Sequence, residues 1–138
     1  MSPDSEAATR IAHAFVKAIN RRSVDEIVNL MTDDHVLVDS LGARTVGKPR
    51  LQAAWAAYFC MIPDYKITID ETIAEGSVVV LVGTAQGTYA RSGDLPLENR
   101  WIAPVAWRAL VRDARIAEWR IYADLEPLRQ IMRRLYTE

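Results

Sequence analysis

The stretch Leu37–Trp55, LVDSLGARTVGKPRLQAAW, carries the chain from a strand into a helix and sets an aspartate among leucines. In the run His35–Leu41, HVLVDSL, the residues alternate as in a strand, so side chains two apart share a face. Asp39 therefore points the same way as Leu37 and Leu41, and that face is expected to be buried. A carboxylate among aliphatics is costly unless it is hydrogen-bonded, protonated or used. Two readings stay open. Asp39–Gly42, DSLG, has Asp first and Gly fourth in a type I turn, where the carboxylate can bond nearby backbone N–H groups. A carboxylate in a partly dry pocket is also a general base that needs no metal.

Outward from this stretch the pattern sorts into helices, then strands. Upstream, a helix is expected to start at Asp4 as N-cap and to align Ile11, Phe15, Ala18 and Ile19. Ser23–Glu26, SVDE, reads as a capping box opening a short helix with Ile27, Leu30 and Met31 inside. Downstream, a loop leads to a third helix started by Gly47 and Pro49, with Leu51, Trp55, Tyr58, Phe59 and Ile62 on one stripe. From Pro63 the period drops to two. YKITID and SVVVLVGTAQGTYA read as strands, and Gly83 and Gly87 within the second predict a bulge or bend. RWIAPVAWRALV and RIAEWRIYAD are two more strands around the turn RDA. A final helix, LEPLRQIMRRLYTE, buries Leu125, Leu128, Met132 and Leu135; Asp124 reads as its N-cap, and Arg129, Arg133 and Arg134 as its solvated face.

At 138 residues, 50% of them apolar and 25% charged, the chain is expected to form one domain over 1–138. The acidic, polar start MSPDSEAATR is unlike a signal peptide, and VVVLV is too short to span a bilayer. A net charge of −1 gives no basic footprint for nucleic acid. The single cysteine, Cys60, excludes an internal disulfide framework. A cytoplasmic protein with neither nucleic-acid nor membrane partners is the expectation. No metal site is expected: His35 shares the Asp39 face, but four residues of strand separate them by roughly 13 Å. His13 lies opposite the apolar stripe of its helix, and Asp33–His35, DDH, reads as a solvated turn.

This order of elements predicts an α+β, cone-shaped domain: a curved antiparallel sheet with N-terminal helices packed on its concave face. The order, DSLG followed by VGKPRLQAAWAAYF, and the late EWRIYAD resemble the nuclear transport factor 2-like superfamily, specifically its SnoaL-like and ketosteroid-isomerase-like members, roughly from Ala8 to Leu128. The resemblance puts Asp39 at the position of the isomerases' general base, which shuttles a proton between carbons next to a carbonyl. It also marks two departures. Phe15 stands where the family has its oxyanion tyrosine, and Ala106 where it has a protonated aspartate. Neither donates a hydrogen bond, and losing one such donor costs roughly a hundredfold to a thousandfold in rate, so a steroid isomerase is not expected. Tyr58, Trp55, Trp119 and Tyr122 are the candidate replacements. The arginine between two aspartates used by the superfamily's epoxide hydrolases has no counterpart in APVAW and WRIYAD.

The resulting expectation is a pocket for a small hydrophobic carbonyl compound, with Asp39 catalytic, no cofactor, and Phe15, Trp55, Tyr58, Phe59, Ala106, Trp119 and Tyr122 binding substrate. The reaction is isomerase, cyclase or lyase chemistry by proton transfer. The alternative is a non-catalytic ligand- or partner-binding domain in which Asp39 only shapes its turn. Trp101, Val105 and Trp107 are expected on an outer sheet face covered by a second copy, in a homodimer.

Overall fold

Chain direction is set early by caps. In the computed structural model, which describes residues 2–137, helix α1 (Pro3–Asn20) opens on Ser2, whose hydroxyl accepts the Ser5 N–H at 3.1 Å. The cap is therefore Ser2 and not Asp4, which falls in the acidic first turn. Ala8, Ala12, Phe15, Ala18 and Ile19 form its buried stripe. Ser23 caps α2 (Val24–Asn29) through the Glu26 N–H, but the Glu26 carboxylate turns to Arg21 and leaves the capping box half made. Met31, expected inside this helix, instead begins β1 (Met31–Val38). A short strand β2 (Arg44–Val46) folds back on β1 where a loop is expected, before α3 (Lys48–Met61).

The remaining strands are β3 (Lys66–Glu75), β4 (Val78–Thr88), β5 (Arg100–Arg112) and β6 (Arg115–Ala123), closed by α4 (Glu126–Thr137). Asp124 accepts the Glu126 N–H at 3.0 Å in a turn just ahead of α4, but the cap position is Leu125 and not Asp124, since the Leu125 carbonyl accepts the first helical bond, from Arg129. The six strands lie in the order β2-β1-β6-β5-β4-β3. All neighbours are antiparallel except β1 and β6, whose parallel pairing docks the N-terminal strand beside the C-terminal one. The expected antiparallel sheet is thus mixed at one joint.

Gly83 lies opposite a bulge, but the extra residue is in β3 and not in β4; β4 runs without a register shift through Gly87, which marks a close approach and not the expected bulge. Beside the bulge between Ile69 and Glu71, β3 crosses β4 so closely that a Cβ on Gly83 would stand 1.8 Å from the Thr68 carbonyl oxygen. A Cβ on Gly87 would meet the Ile62 side chain at 2.3 Å, where the end of α3 presses on the sheet. The bulge adds twist, and the sheet curls around the helices.

Strand register places Leu81, Trp101, Trp107 and Trp119 on the concave face, all of them buried. Trp101, Val105 and Trp107 therefore belong to the core and not to an outer surface. Ala106 and Tyr122, paired across β5 and β6, lie on the convex face instead.

The stretch Asp33–His35, expected as a solvated turn, lies within β1, and His35 is fully buried. His35 Nδ1 is 2.6 Å from the Ile116 carbonyl oxygen, which accepts its proton, while Nε2 is buried without a partner. Burial holds the imidazole below its ordinary pKa of 6.5, against the opposing pull of the Ile116 carbonyl. The sign follows: the unfolded chain takes up the proton first, so stability is complete above about pH 6.5 and is lost as pH falls from there through the folded value. Urea midpoints measured from pH 7 downward should fall in the wild type, and His35→Gln should flatten that slope whatever its own stability.

Candidate functional site

Curling leaves a cavity of about 360 Å³ between the sheet, α3 and α4. Its size suits a small organic ligand. Its walls are mostly apolar: Leu37, Trp55, Trp101, Val105, Trp107 and Ile121, with Leu125, Leu128 and Met132 of α4 across one side. The ionisable side chains that line it are Asp39, Tyr58, Tyr65 and Arg129.

Asp39 follows the last residue of β1, where a tight turn holds it. Its Oδ1 accepts the N–H groups of Leu41 and Ala43, both at 2.9 Å, and its carbonyl accepts the Gly42 N–H at 2.9 Å. The turn reading is therefore correct, but it does not exclude the other. Oδ2 carries no hydrogen bond among the described residues, and the residue lines the cavity. The expectation of a buried face is only half met, since Leu41, two residues on, is 77% exposed at the cavity mouth.

Tyr58 comes from α3 and Tyr65 from the approach to β3, and their rings meet edge to face at 5.0 Å. No hydrogen bond to either hydroxyl forms among the described residues, nor is either hydroxyl sealed in protein. Burial pushes both phenols above their ordinary pKa of 10, and for Tyr65 the neighbouring Tyr58 adds to it. Both stay protonated donors at neutral pH. The indole N–H groups of Trp55 and Trp101, which also line the cavity, are buried without a partner.

Of the eight residues expected at the site, the fold brings Asp39, Trp55 and Tyr58 together. The other five stand elsewhere. Phe15 is in the core, 4.9 Å from Trp119 and 6.0 Å from His35. Trp119 is fully buried against Trp107, with ring centroids 6.3 Å apart, and contributes to the core and not to the cavity wall. Phe59 packs beside Trp55 at 5.5 Å, outside the lining. Ala106 and Tyr122 face the convex side, where Tyr122 is 51% exposed under the Arg120 guanidinium. Tyr65, Trp101, Trp107 and Arg129 were missed. Tyr65 is legible as the first apolar residue of the YKITID alternation; the two tryptophans, expected outward, face inward because β5 turns its other phase, Ala106 included, to the convex side. His13, expected in solvent, bonds Thr72 Oγ1 at 2.9 Å and ties α1 to β3.

Residues 12–119 match the SnoaL-like domain family, and the chain belongs to that family. Among solved structures, it is similar to a protein of Jannaschia sp. CCS1 named after the SnoaL-like polyketide cyclases (17% identity, TM-score 0.82, 95% of this chain and 94% of that one). It is also similar to an LEH-like epoxide hydrolase of M. tuberculosis (22%, 0.78, 96% and 93%). A third is a protein with a ketosteroid isomerase-like fold from Catenulispora acidiphila DSM 44928, in complex with trimethylamine (19%, 0.74, 93% and 91%). No curated protein matches. At these identities the likeness establishes the fold, a nuclear transport factor 2-like cone. Among the described residues no helix is long and apolar enough to cross a membrane.

The phenols offer a direct check on the site. A group whose pKa is raised on folding supports the native state below its unfolded pKa, here about 10, and loses that support as pH rises through the folded value. In an alkaline titration read by phenolate absorbance, two tyrosines should ionise only as the protein unfolds. Tyr58→Phe and Tyr65→Phe should each remove one from that late step.

Proposed function

We propose that this protein is an enzyme that moves a proton at carbon next to a carbonyl, in an isomerisation, cyclisation or lyase reaction on a small hydrophobic substrate. The observation that carries this reading is a single apolar cavity holding a turn-anchored carboxylate with one oxygen unpartnered, together with two neutral phenols whose hydroxyls lack protein partners. Asp39 Oδ2 takes the proton from the carbon. The electron pair moves onto the carbonyl oxygen, and Tyr58, supported by Tyr65, donates a hydrogen bond to the enolate formed. Protonated Asp39 then returns the proton to another carbon; or the enolate carbon attacks a second carbonyl carbon, whose C=O π pair moves onto its oxygen, and that oxygen takes the proton from Asp39. A carboxylate base and phenol donors suffice for these steps, and no cofactor is invoked. Phe15 and Ala106 cannot supply the hydrogen bond, because neither lines the cavity.

The test follows α-proton exchange of 2-tetralone in D2O by NMR. Wild type should accelerate exchange above buffer. Asp39→Asn should lose at least a hundredfold of that enhancement while keeping the fold, since asparagine also suits the turn. Tyr58→Phe should lose roughly tenfold to a thousandfold. If the wild type binds the ketone without accelerating exchange, the non-catalytic binding domain is the correct reading.

We also propose a homodimer, through the convex sheet face and not through the tryptophans. Ile73, Ile102 and Tyr122 are 55%, 57% and 51% exposed there, beside the half-buried Val78, Val80 and Val82. An apolar sheet face of this kind is what a symmetric partner covers. Light scattering should give a dimer at micromolar concentration, and Ile102→Glu should give monomers. A monomeric wild type would refute the proposal.

A further inference from the structure

Three arginines of α4 were expected to face solvent, and two of them are engaged away from the cavity. Arg133 pairs with Glu126 Oε1, while Arg134 bonds the Glu98 carbonyl and the Asn99 side chain, latching α4 to the short 3-10 turn Leu97–Asn99. Arg129 differs. It lines the cavity, half-exposed, beside Leu125, Leu128 and Met132 of the same helix. The anion paired with it, Glu126 Oε2, is 3.8 Å away, beyond hydrogen-bond distance, and belongs to a carboxylate already engaged by Arg133. Asp39 forms no ion pair with it among the described residues. The guanidinium fork thus keeps its donors free at an apolar wall.

An apolar cavity with one cation on its wall, held only by a 3.8 Å pairing and by no hydrogen bond among the described residues, selects for a ligand built the same way. We propose that the physiological ligand is an apolar molecule bearing an anionic group, an oxyanion with paired oxygens such as a carboxylate, sulfonate or phosphate, and that Arg129 binds that group. The facing charges agree with this. The other titratable groups of the lining are the neutral phenols of Tyr58 and Tyr65 and the Asp39 carboxylate, which repels an anion and so turns the ligand's uncharged end toward itself. Arg129 is then a specificity residue that sets the ligand's direction in the cavity. This inference rests on the cavity and not on the proton-transfer chemistry.

Two probes of one skeleton separate the charge from the apolar body: 8-anilinonaphthalene-1-sulfonate, which is anionic, and neutral N-phenyl-1-naphthylamine. In fluorescence titrations at low salt, wild type should bind both, and each should displace the other. Arg129→Gln should weaken the anionic probe at least fivefold and leave the neutral one within twofold, with Arg129→Lys intermediate. Added potassium chloride should weaken the anionic probe alone. Asp39→Asn should keep or tighten anionic binding, even though it is expected to abolish α-proton exchange, so the two proposals can fail separately. Equal loss of both probes in Arg129→Gln would mean that Arg129 only seats α4, and would overturn the inference. Unchanged anionic binding, or no binding of either probe to wild type, would overturn it as well.

Discussion

The close crossing of two strands at Gly83 is the constraint on which the rest of the molecule depends. The Thr68 carbonyl occupies the space a side chain would need, so β3 and β4 approach there only because residue 83 has no Cβ. The adjacent bulge between Ile69 and Glu71 adds twist at the same place. A flat sheet would press its concave residues directly against the helices. A curled one leaves room between itself, α3 and α4, and the cavity lies there. Gly87 repeats the device by admitting Ile62, which fixes the end of α3 and with it Tyr58 and the approach to Tyr65.

The cavity's polar groups come from the margins of the fold. Asp39 sits where β1 ends, in a turn that consumes one carboxylate oxygen and leaves the other. Tyr58 and Tyr65 sit at the end of α3 and the entry to β3, and Arg129 sits on the closing helix. The sheet itself contributes apolar wall. Such a division is physically economical. A strand interior holds apolar side chains at close packing, whereas its ends and turns can present a polar group without burying it unpaired. Membership in the SnoaL-like family does not fix which chemistry these groups perform, since one fold hosts many functions.

Much of the architecture was legible in the sequence. Periods of 3.6 and 2 marked every long helix and strand, and the interior glycines marked the close approaches. The aspartate in DSLG was legible both as a turn former and as a residue of the site, because local geometry alone decides the first and a polar residue on an apolar strand signals the second. The misreadings share a different cause. Phe15 and Ala106 are expected in the site because the resemblance sets them at the family's oxyanion-donor positions, and Trp119 and Tyr122 as replacements for those donors, but alternation has two phases, and nothing local says which phase of β5 faces inward. One wrong assignment at Ala106 carried Trp101 and Trp107 outward with it.

What the sequence determined by itself was therefore the kind and order of the elements and the turn that holds Asp39, both governed by interactions within a few residues, while Gly83 marked a close approach whose other side, the Thr68 carbonyl, comes from the neighbouring strand. Tertiary structure alone decided which face of β5 became the cavity wall, since that depends on which side α1 packs. It also decided that β1 pairs in parallel with β6, a contact between residues about 80 positions apart. And it decided that Arg129, which looks in sequence like its neighbours Arg133 and Arg134, is the one that lines the cavity, held only by a 3.8 Å pairing with Glu126. The latter two find partners in Glu126, Glu98 and Asn99, and only the docking of α4 across the open end of the sheet brings the third to that wall.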